Sequence, residues 1–171
     1  MLKRLRIQNF ILIDQLDLPI LSGMTAMTGE TGAGKSILLG ALEAALGRRL
    51  SAKAVLKDKS AKAIIELELV LPDYLEAEFR SKDIDYDTHS VFRRELLPNG
   101  KSRAFINDTP VKSSDLTHFA GQFIDINSQS DSGLLTDVAK QIQLIDSFVT
   151  AEGERDEYSG IYATLKAVLY E

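Results

Sequence analysis

The octet GETGAGKS, Gly29 to Ser36, constrains this chain more than any other stretch. It fits the pattern of glycine, four residues, glycine, lysine and serine without a mismatch. Glycine tolerates positive φ and keeps Cβ atoms out of a tight loop. Successive backbone N–H groups can then point inward at phosphate oxygens, and a helix N-terminus adds positive potential. Lys35 places an ammonium near the β- and γ-phosphates of a nucleotide, and Ser36 offers a hydroxyl to Mg²⁺. The candidate nucleotide-binding set is therefore Gly29, Glu30, Thr31, Gly32, Ala33, Gly34, Lys35, Ser36 and Ile37. The plain alternative is a glycine-rich turn with a solvated lysine.

The flanks favour the phosphate loop. MTAMT, Met24–Thr28, reads as a strand leading in. From Lys35 to Leu46 the residues Leu38, Leu39, Leu42, Ala45 and Leu46 recur at helical spacing, and Gly47 stands where a C-cap belongs. Upstream, Leu5–Phe10 and Ile13–Leu18 read as two short strands closed by Pro19. Downstream, Ile65, Leu67 and Leu69 alternate with Glu66 and Glu68, which marks a half-buried strand stopped by Pro72. A short helix is expected from Asp73. Residues 90–112 read as a β-meander, with a hairpin at Asn99-Gly100 and a second turn at Asn107-Asp108. Ser113 caps a further helix carrying Leu116, Phe119 and Ala120. QFIDI, 122–126, reads as a short strand, and Asp137–Phe148 as a helix capped by Thr136.

The tail differs in character. Tyr158, Ile161, Tyr162, Leu165, Val168 and Leu169 follow a 3–4 spacing with charges between them, which suits an amphipathic or coiled-coil helix. The pattern runs to Glu171 without a stop signal, so the chain looks cut in mid-helix. The order of strands, one loop-bearing helix, more strands and then helices predicts an α/β fold with a mixed sheet.

A phosphate cradle does not hydrolyse ATP unaided. Its ordinary companion is an Asp, often Asp-Glu, at the end of an apolar strand. Asp125 in QFIDIN is the one candidate, and Ile126 stands where the glutamate would. Gln129 could reach Mg²⁺ or the lytic water through its amide oxygen; a surface-loop glutamine is the plainer reading. Arg48 and Arg49, just past the helix, could reach phosphate or DNA, but paired arginines there commonly serve the last carbonyls. Lys53, Lys57, Lys59 and Lys62, like Arg93, Arg94, Lys101 and Arg103, read as solvated faces. Phe92 and Phe105 read as core residues of the meander, and Asn9-Phe10 as a buried strand end.

Bulk properties narrow the classes. The chain has 171 residues, no cysteine and only His89 and His118 as histidines, which excludes disulfides and makes a zinc site remote. No apolar run reaches the roughly 18 residues of a membrane span, and the N-terminus lacks a signal-peptide core, so a cytoplasmic location without membrane contact is expected. A formal net charge of −5 does not favour a dedicated nucleic-acid module.

Four stretches together resemble the RecN family of DNA repair proteins, bacterial relatives of the SMC family of ABC-type ATPases. They are LKRLRIQNFILIDQLDL, SGMTAMTGETGAGKSILLGALEAALGRR, GKSRAFINDTPV, and FIDINSQSDSGLL followed by IQLIDSF. The resemblance spans nearly the whole chain. It implies a P-loop NTPase fold, with an N-terminal lobe of an ABC/SMC-type head over residues 1–150 and the root of a coiled-coil helix over 151–171. It aligns Gln129 with the Q-loop glutamine, implying Mg²⁺ and γ-phosphate sensing, and puts Arg49 where the family has an arginine. Lys35 and Gln129 are then the catalytic candidates, and Ser36 and Gln129 the metal candidates, with ATP and Mg²⁺ as cofactors. The family's His-Gly before that glutamine and His-Glu after it are replaced by Asn127-Ser128 and Ser130-Asp131, so no role of those histidines carries over.

The family builds each head from the two ends of a long chain. No LSGG-like string and no apolar run ending in Asp-Glu occurs here. The resemblance thus implies half a head, with the C-terminal half of the same head, a second head in a homodimer, and DNA as partners. It implies an ATP-gated role in double-strand break repair by a nucleoid-associated protein. Two other classes stay open on the residues alone: a self-contained P-loop kinase, and a non-catalytic DNA-binding or dimerisation module.

Overall fold

The computed structural model describes residues 1–28, 32–126, 141–142 and 152–169. They fall into two units, residues 1–126 and 127–171. The first is built on a six-stranded sheet in the order β2-β1-β3-β4-β5-β6. Its strands are β1 (Leu2–Phe10), β2 (Ile13–Pro19), β3 (Ala63–Val70), β4 (His89–Leu96), β5 (Ser102–Ile106) and β6 (Thr109–Val111). Every pairing is antiparallel.

Alternation decides which face is which. In β3 every other residue from Ala63 is buried, with Ile65, Leu67 and Leu69 at 1% exposure or less. Leu5 and Ile7 of β1, Phe92 and Leu96 of β4, and Ala104 and Ile106 of β5 complete the inner face. Helices α1 (Gly32–Ala45) and α4 (Ser113–Ala120) join the same core through Ala41, Ala44, Ala45, Leu116 and Phe119. Each fully buried large apolar side chain stabilises the unit by roughly 1.5–3 kcal/mol. Between them lie the short α2 (Ala52–Val55), a 3₁₀ turn at Asp73–Leu75 and α3 (Glu76–Ser81).

The outer face carries a rung across all six strands that is charged on four of them, β2, β1, β3 and β4. Asp17, Arg6, Glu66, Arg93, Phe105 and Pro110 are successive cross-strand partners. Arg6 lies 3.6 Å from Asp17 and 3.9 Å from Glu66, and Arg93 lies 3.8 Å from Glu66. The Arg93 guanidinium caps the Phe105 ring at 4.5 Å. Solvent-accessible pairs are each worth about 0–1 kcal/mol, and these half-buried ones, at 3.6–3.9 Å, keep the face soluble and in register more than they stabilise.

Several expectations hold. The Asp73 start, the alternating strand, the meander and the helix at 113 all form. The Asn99-Gly100 hairpin forms with Gly100 at φ +87°. Others need correction. Met24–Thr28 is not a strand, and neither is 122–126. A strand exists only beside a partner, and none of the described strands pairs with either segment. Ser113 is the first residue of α4 rather than its cap; the Asp115 carboxylate accepts the Lys112 N–H at 2.9 Å instead. The expected helix at 137–148 lies outside the described residues except for Gln141 and Ile142, which are helical.

Beyond Gln141 and Ile142, the described part of the second unit is helix α5 (Glu152–Leu169). Tyr158, Ile161, Tyr162, Leu165 and Val168 are 52–69% exposed along it. The rings of Tyr158 and Tyr162 stack at 6.0 Å. No helix among the described residues is long and apolar enough to cross a membrane.

Candidate nucleotide site

Helix α1 begins at Gly32, three residues before the expected start at Lys35. Gly32, Ala33 and Gly34 are helical because glycine weakens a helix by only about 1 kcal/mol and does not forbid it. The first turn carries no acidic residue, so the positive end of the helix dipole is not offset by its own side chains. Gly34, Lys35, Ile37 and Leu38 form one wall of an open hollow of about 930 Å³. Ala26, Met27 and Thr28 form its rim, and β2 the opposite wall through Ile13, Gln15, Leu16 and Leu18. A cationic corner beside an apolar wall suits a ligand with a charged tail and a flat apolar body.

The C-terminus of α1 fixes where that corner points. Gly47 has φ +98°; its N–H reaches Ala44 O at 3.1 Å, and the Arg48 N–H reaches Glu43 O at 3.0 Å. These two bonds close the helix on a left-handed glycine. Thr117 Oγ of α4 donates to Leu46 O at 3.2 Å and docks the same end. The helix is thereby held at the end opposite the turn that lines the hollow.

The predicted residues divide as follows. Lys35, Ser36 and Ile37 lie together on the first turns of α1, with Lys35 and Ser36 exposed. Gly29, Glu30, Thr31 and Gln129 lie outside the described residues. Asp125 is exposed and ends no strand, which removes the geometric basis for a Walker-B role. Arg48 pairs with the Glu43 carboxylate of α1, an ion pair in place of the expected contact with the last carbonyls. No group of three His, Asp or Glu able to hold a metal occurs among the described residues. Mg²⁺ would therefore have the Ser36 hydroxyl, phosphate oxygens and groups from elsewhere as ligands, a set that suits its preference for few protein ligands.

Two basic clusters depart from the solvated-face reading. Lys57 pairs with Asp14, which lines the hollow, and Lys62 pairs with Glu95 at 2.8 Å. Arg94 is buried at 4% exposure. It is the residue that inspection of the sequence missed. The signal was present: in SVFRREL the period of two puts position 94 on the face of Phe92 and Leu96. Phe105 is half-buried on the outer face under Arg93 rather than in the core.

Residues 4–160 match a family model described as an AAA domain. The DNA repair protein RecN of Haemophilus influenzae is 40% identical over 152 residues, covering 86% of this chain and 27% of that protein. RecN of Bacillus subtilis is 35% identical over 158 residues, covering 90% of this chain and 27% of that protein. The chain thus spans under a third of the length of these curated relatives. Among solved structures, a chain from work on ATP-driven dimerization and DNA-stimulated activation of SMC ATPases superposes with a TM-score of 0.57. It is 20% identical, and the match covers 86% of this chain and 99% of that one. An Smc head bound to the C-winged helix domain of ScpA gives 0.54 at 21% identity, over 70% of this chain and 39% of that one.

Proposed function

This chain belongs to the AAA-domain family and is related to the DNA repair protein RecN, and from that premise we propose that it is the nucleotide-binding N-terminal half of a RecN-like ATPase head. The observation that carries the reading is the GKS turn at the unshielded N-terminus of α1, facing the 930 Å³ hollow against β2. Residues 29–37 bind the triphosphate of ATP through backbone N–H groups. Lys35 neutralises charge on the β- and γ-phosphates, and Ser36 and Gln129 would hold Mg²⁺ through a hydroxyl and an amide oxygen. Mg²⁺ supplies charge neutralisation at the phosphates.

The rest of the head comes from elsewhere. Met24–Thr28, which leads into the loop, has no strand partner among the described residues. The C-terminal half of the head supplies that partner, the signature sequence and the general base. Residues 1–150 then form the lobe and 151–171 the root of a coiled coil joining the two halves. Two complete heads sandwich ATP, and opening and closing of that homodimer drives repair of DNA double-strand breaks in a cytoplasmic, nucleoid-associated protein. The partners are the other half-head, the second head and DNA; no membrane is involved.

The test is reconstitution. The isolated chain should bind ATP weakly and turn over almost none of it, and adding the C-terminal half of a RecN relative should restore hydrolysis. Robust turnover by the isolated chain, abolished by Lys35→Ala, would overturn the half-head reading.

A further inference from the structure

We propose that the hollow between the free end of β5 and the start of α4 binds a phosphate group, with Ser102, Lys112 and Ser113 as its contacts and Arg94, behind Ser102, as the buried cation that the phosphate balances. The site is separate from the nucleotide loop and does not rest on the proposed ATPase role.

The hollow arises from unequal strand lengths. Val111, the last residue of β6, pairs with Ala104, and the chain then turns into α4 at Ser113. Ser102 and Arg103 of β5 therefore run on past the end of their partner. The space left is about 660 Å³, lined by Ser102, Arg103, Ala104, Val111, Lys112 and Ser113 among others. Its charged lining is wholly cationic, from Arg103 and Lys112. In the first turn of the eight-residue α4 the Asp115 and Leu116 N–H groups reach Lys112 O at 3.0 and 3.4 Å, which leaves those of Ser113 and Ser114 as donors ahead of the helical ladder. Asp115 spends its carboxylate on the Lys112 N–H at 2.9 Å and on Lys82 Nζ at 3.3 Å, and it does not line this hollow.

The second observation is independent of the helix. Arg94 is 4% exposed, and its Nε and Nη1 have no hydrogen-bond partner among the described residues. Its Nη2 donates to Ser102 Oγ at 3.0 Å. Register explains the contact: Arg94 stands opposite Ala104, so Ser102 is its diagonal neighbour on the same face. Because Ser102 Oγ accepts from Arg94, its own O–H is available to donate into the hollow. A guanidinium remains charged when buried, and a buried charge without a counter-charge is costly. Burial pushes the Arg94 pKa down, and no carboxylate among the described residues offsets it. An oxyanion on Ser102 provides the missing counter-charge.

Phosphate suits this donor set. Hydroxyl, ammonium and helix N–H donors converge from different directions, which matches several oxygens on one tetrahedral centre. The same chemistry is offered by free phosphate or a phosphomonoester and by the phosphodiester backbone of a nucleic acid.

The experiment uses the whole chain in a Lys35→Ala background, so that the nucleotide loop does not compete. Inorganic phosphate is titrated at constant ionic strength while backbone amide resonances and the melting temperature are followed. The amides of Ser102, Arg103 and Ser113 should shift with phosphate and the melting temperature should rise. Ser102→Ala or Lys112→Ala should weaken binding at least fivefold. Arg94→Met should melt higher without phosphate and gain nothing from it; if that variant does not fold, Ser102→Ala and Lys112→Ala decide. Shifts at these amides that Ser102→Ala and Lys112→Ala leave unchanged, or no shifts there at all, would overturn the proposal. A short single-stranded oligonucleotide is then added. Displacement of phosphate from these amides supports the site with a nucleic-acid backbone as its source, and failure to displace it supports the site with a free phosphate or monoester.

Discussion

The Asn9 side chain acts as a strand neighbour for Asp58. Asn9 Nδ2 donates to Asp58 O at 2.9 Å, while Asn9 Oδ1 accepts the Asp58 N–H at 2.6 Å. The same amide nitrogen reaches Ala61 O at 2.9 Å. Asn9 does this from φ +52°, a conformation asparagine tolerates better than most residues. The connection leading into β3 is thereby tied to β1, next to the hollow where Lys57 meets Asp14. Asn9→Ala loses the bonds and keeps the strained backbone, so urea denaturation should show a loss of about 2–3 kcal/mol. Asn9→Gly loses the bonds but relieves the backbone and should cost about 1 kcal/mol less than alanine.

Two glycines flanking the α1 terminus should respond with opposite signs. A Cβ at Gly47 would lie 2.3 Å from both Ser113 O and Thr117 Oγ, at a φ of +98°. Gly47→Ala should therefore cost about 2–4 kcal/mol, by both crowding and backbone strain. A Cβ at Gly40, inside α1, meets nothing within 4 Å. Gly40→Ala should raise stability by about 0.5–1 kcal/mol through helix propensity and unfolded-state entropy. Paired chemical denaturation of the two variants checks the contrast.

Acidification should loosen α3 from α4. The Glu78 carboxylate accepts from Gln122 Nε2 at 2.8 Å and meets His118 Nε2, and these contacts lower its pKa from an ordinary 4.5. A carboxyl whose folded pKa is depressed stabilises above its unfolded value and loses that contribution as pH falls through the folded one. The wild type should thus lose melting temperature below pH ~4.3 more steeply than Glu78→Gln. The group is exposed, so added salt should shrink the difference. Parallel acid melts of the two proteins would show equal slopes if the contacts contribute nothing.

Lys35→Ala should weaken ATP binding tenfold or more, about 1.4 kcal/mol, without altering the melting temperature, because Lys35 is exposed. Ser36→Ala should chiefly weaken the Mg²⁺ dependence of that binding. Fluorescent-nucleotide titrations with and without Mg²⁺ separate the two effects.

Helix α5 should associate through its apolar stripe. Ile161 and Leu165 are 62% and 52% exposed, one turn apart. Leu165→Glu should reduce concentration-dependent association in sedimentation while the melting of residues 1–126 stays unchanged. A monomer at all concentrations, with or without the substitution, would argue against the coiled-coil root.

The sequence by itself determined whatever depends on near neighbours. Eight residues with two required glycines fit the phosphate-loop pattern, a motif defined by near neighbours alone. The period of two in Ala63–Val70 and the 3–4 stripe of α5 name a strand and a helix because each face repeats within a few residues. Tertiary structure decided what depends on partners distant in the chain. Met24–Thr28 has strand-like composition and forms no strand among the described residues, since a ladder needs a second backbone. Arg93 and Arg94 are adjacent and chemically identical, yet one caps Phe105 on the half-exposed outer face and the other lies in the core. Composition cannot separate them; only pairing with β3 and β5 assigns each a face, and burial then turns one ordinary cation into a charge that requires a partner.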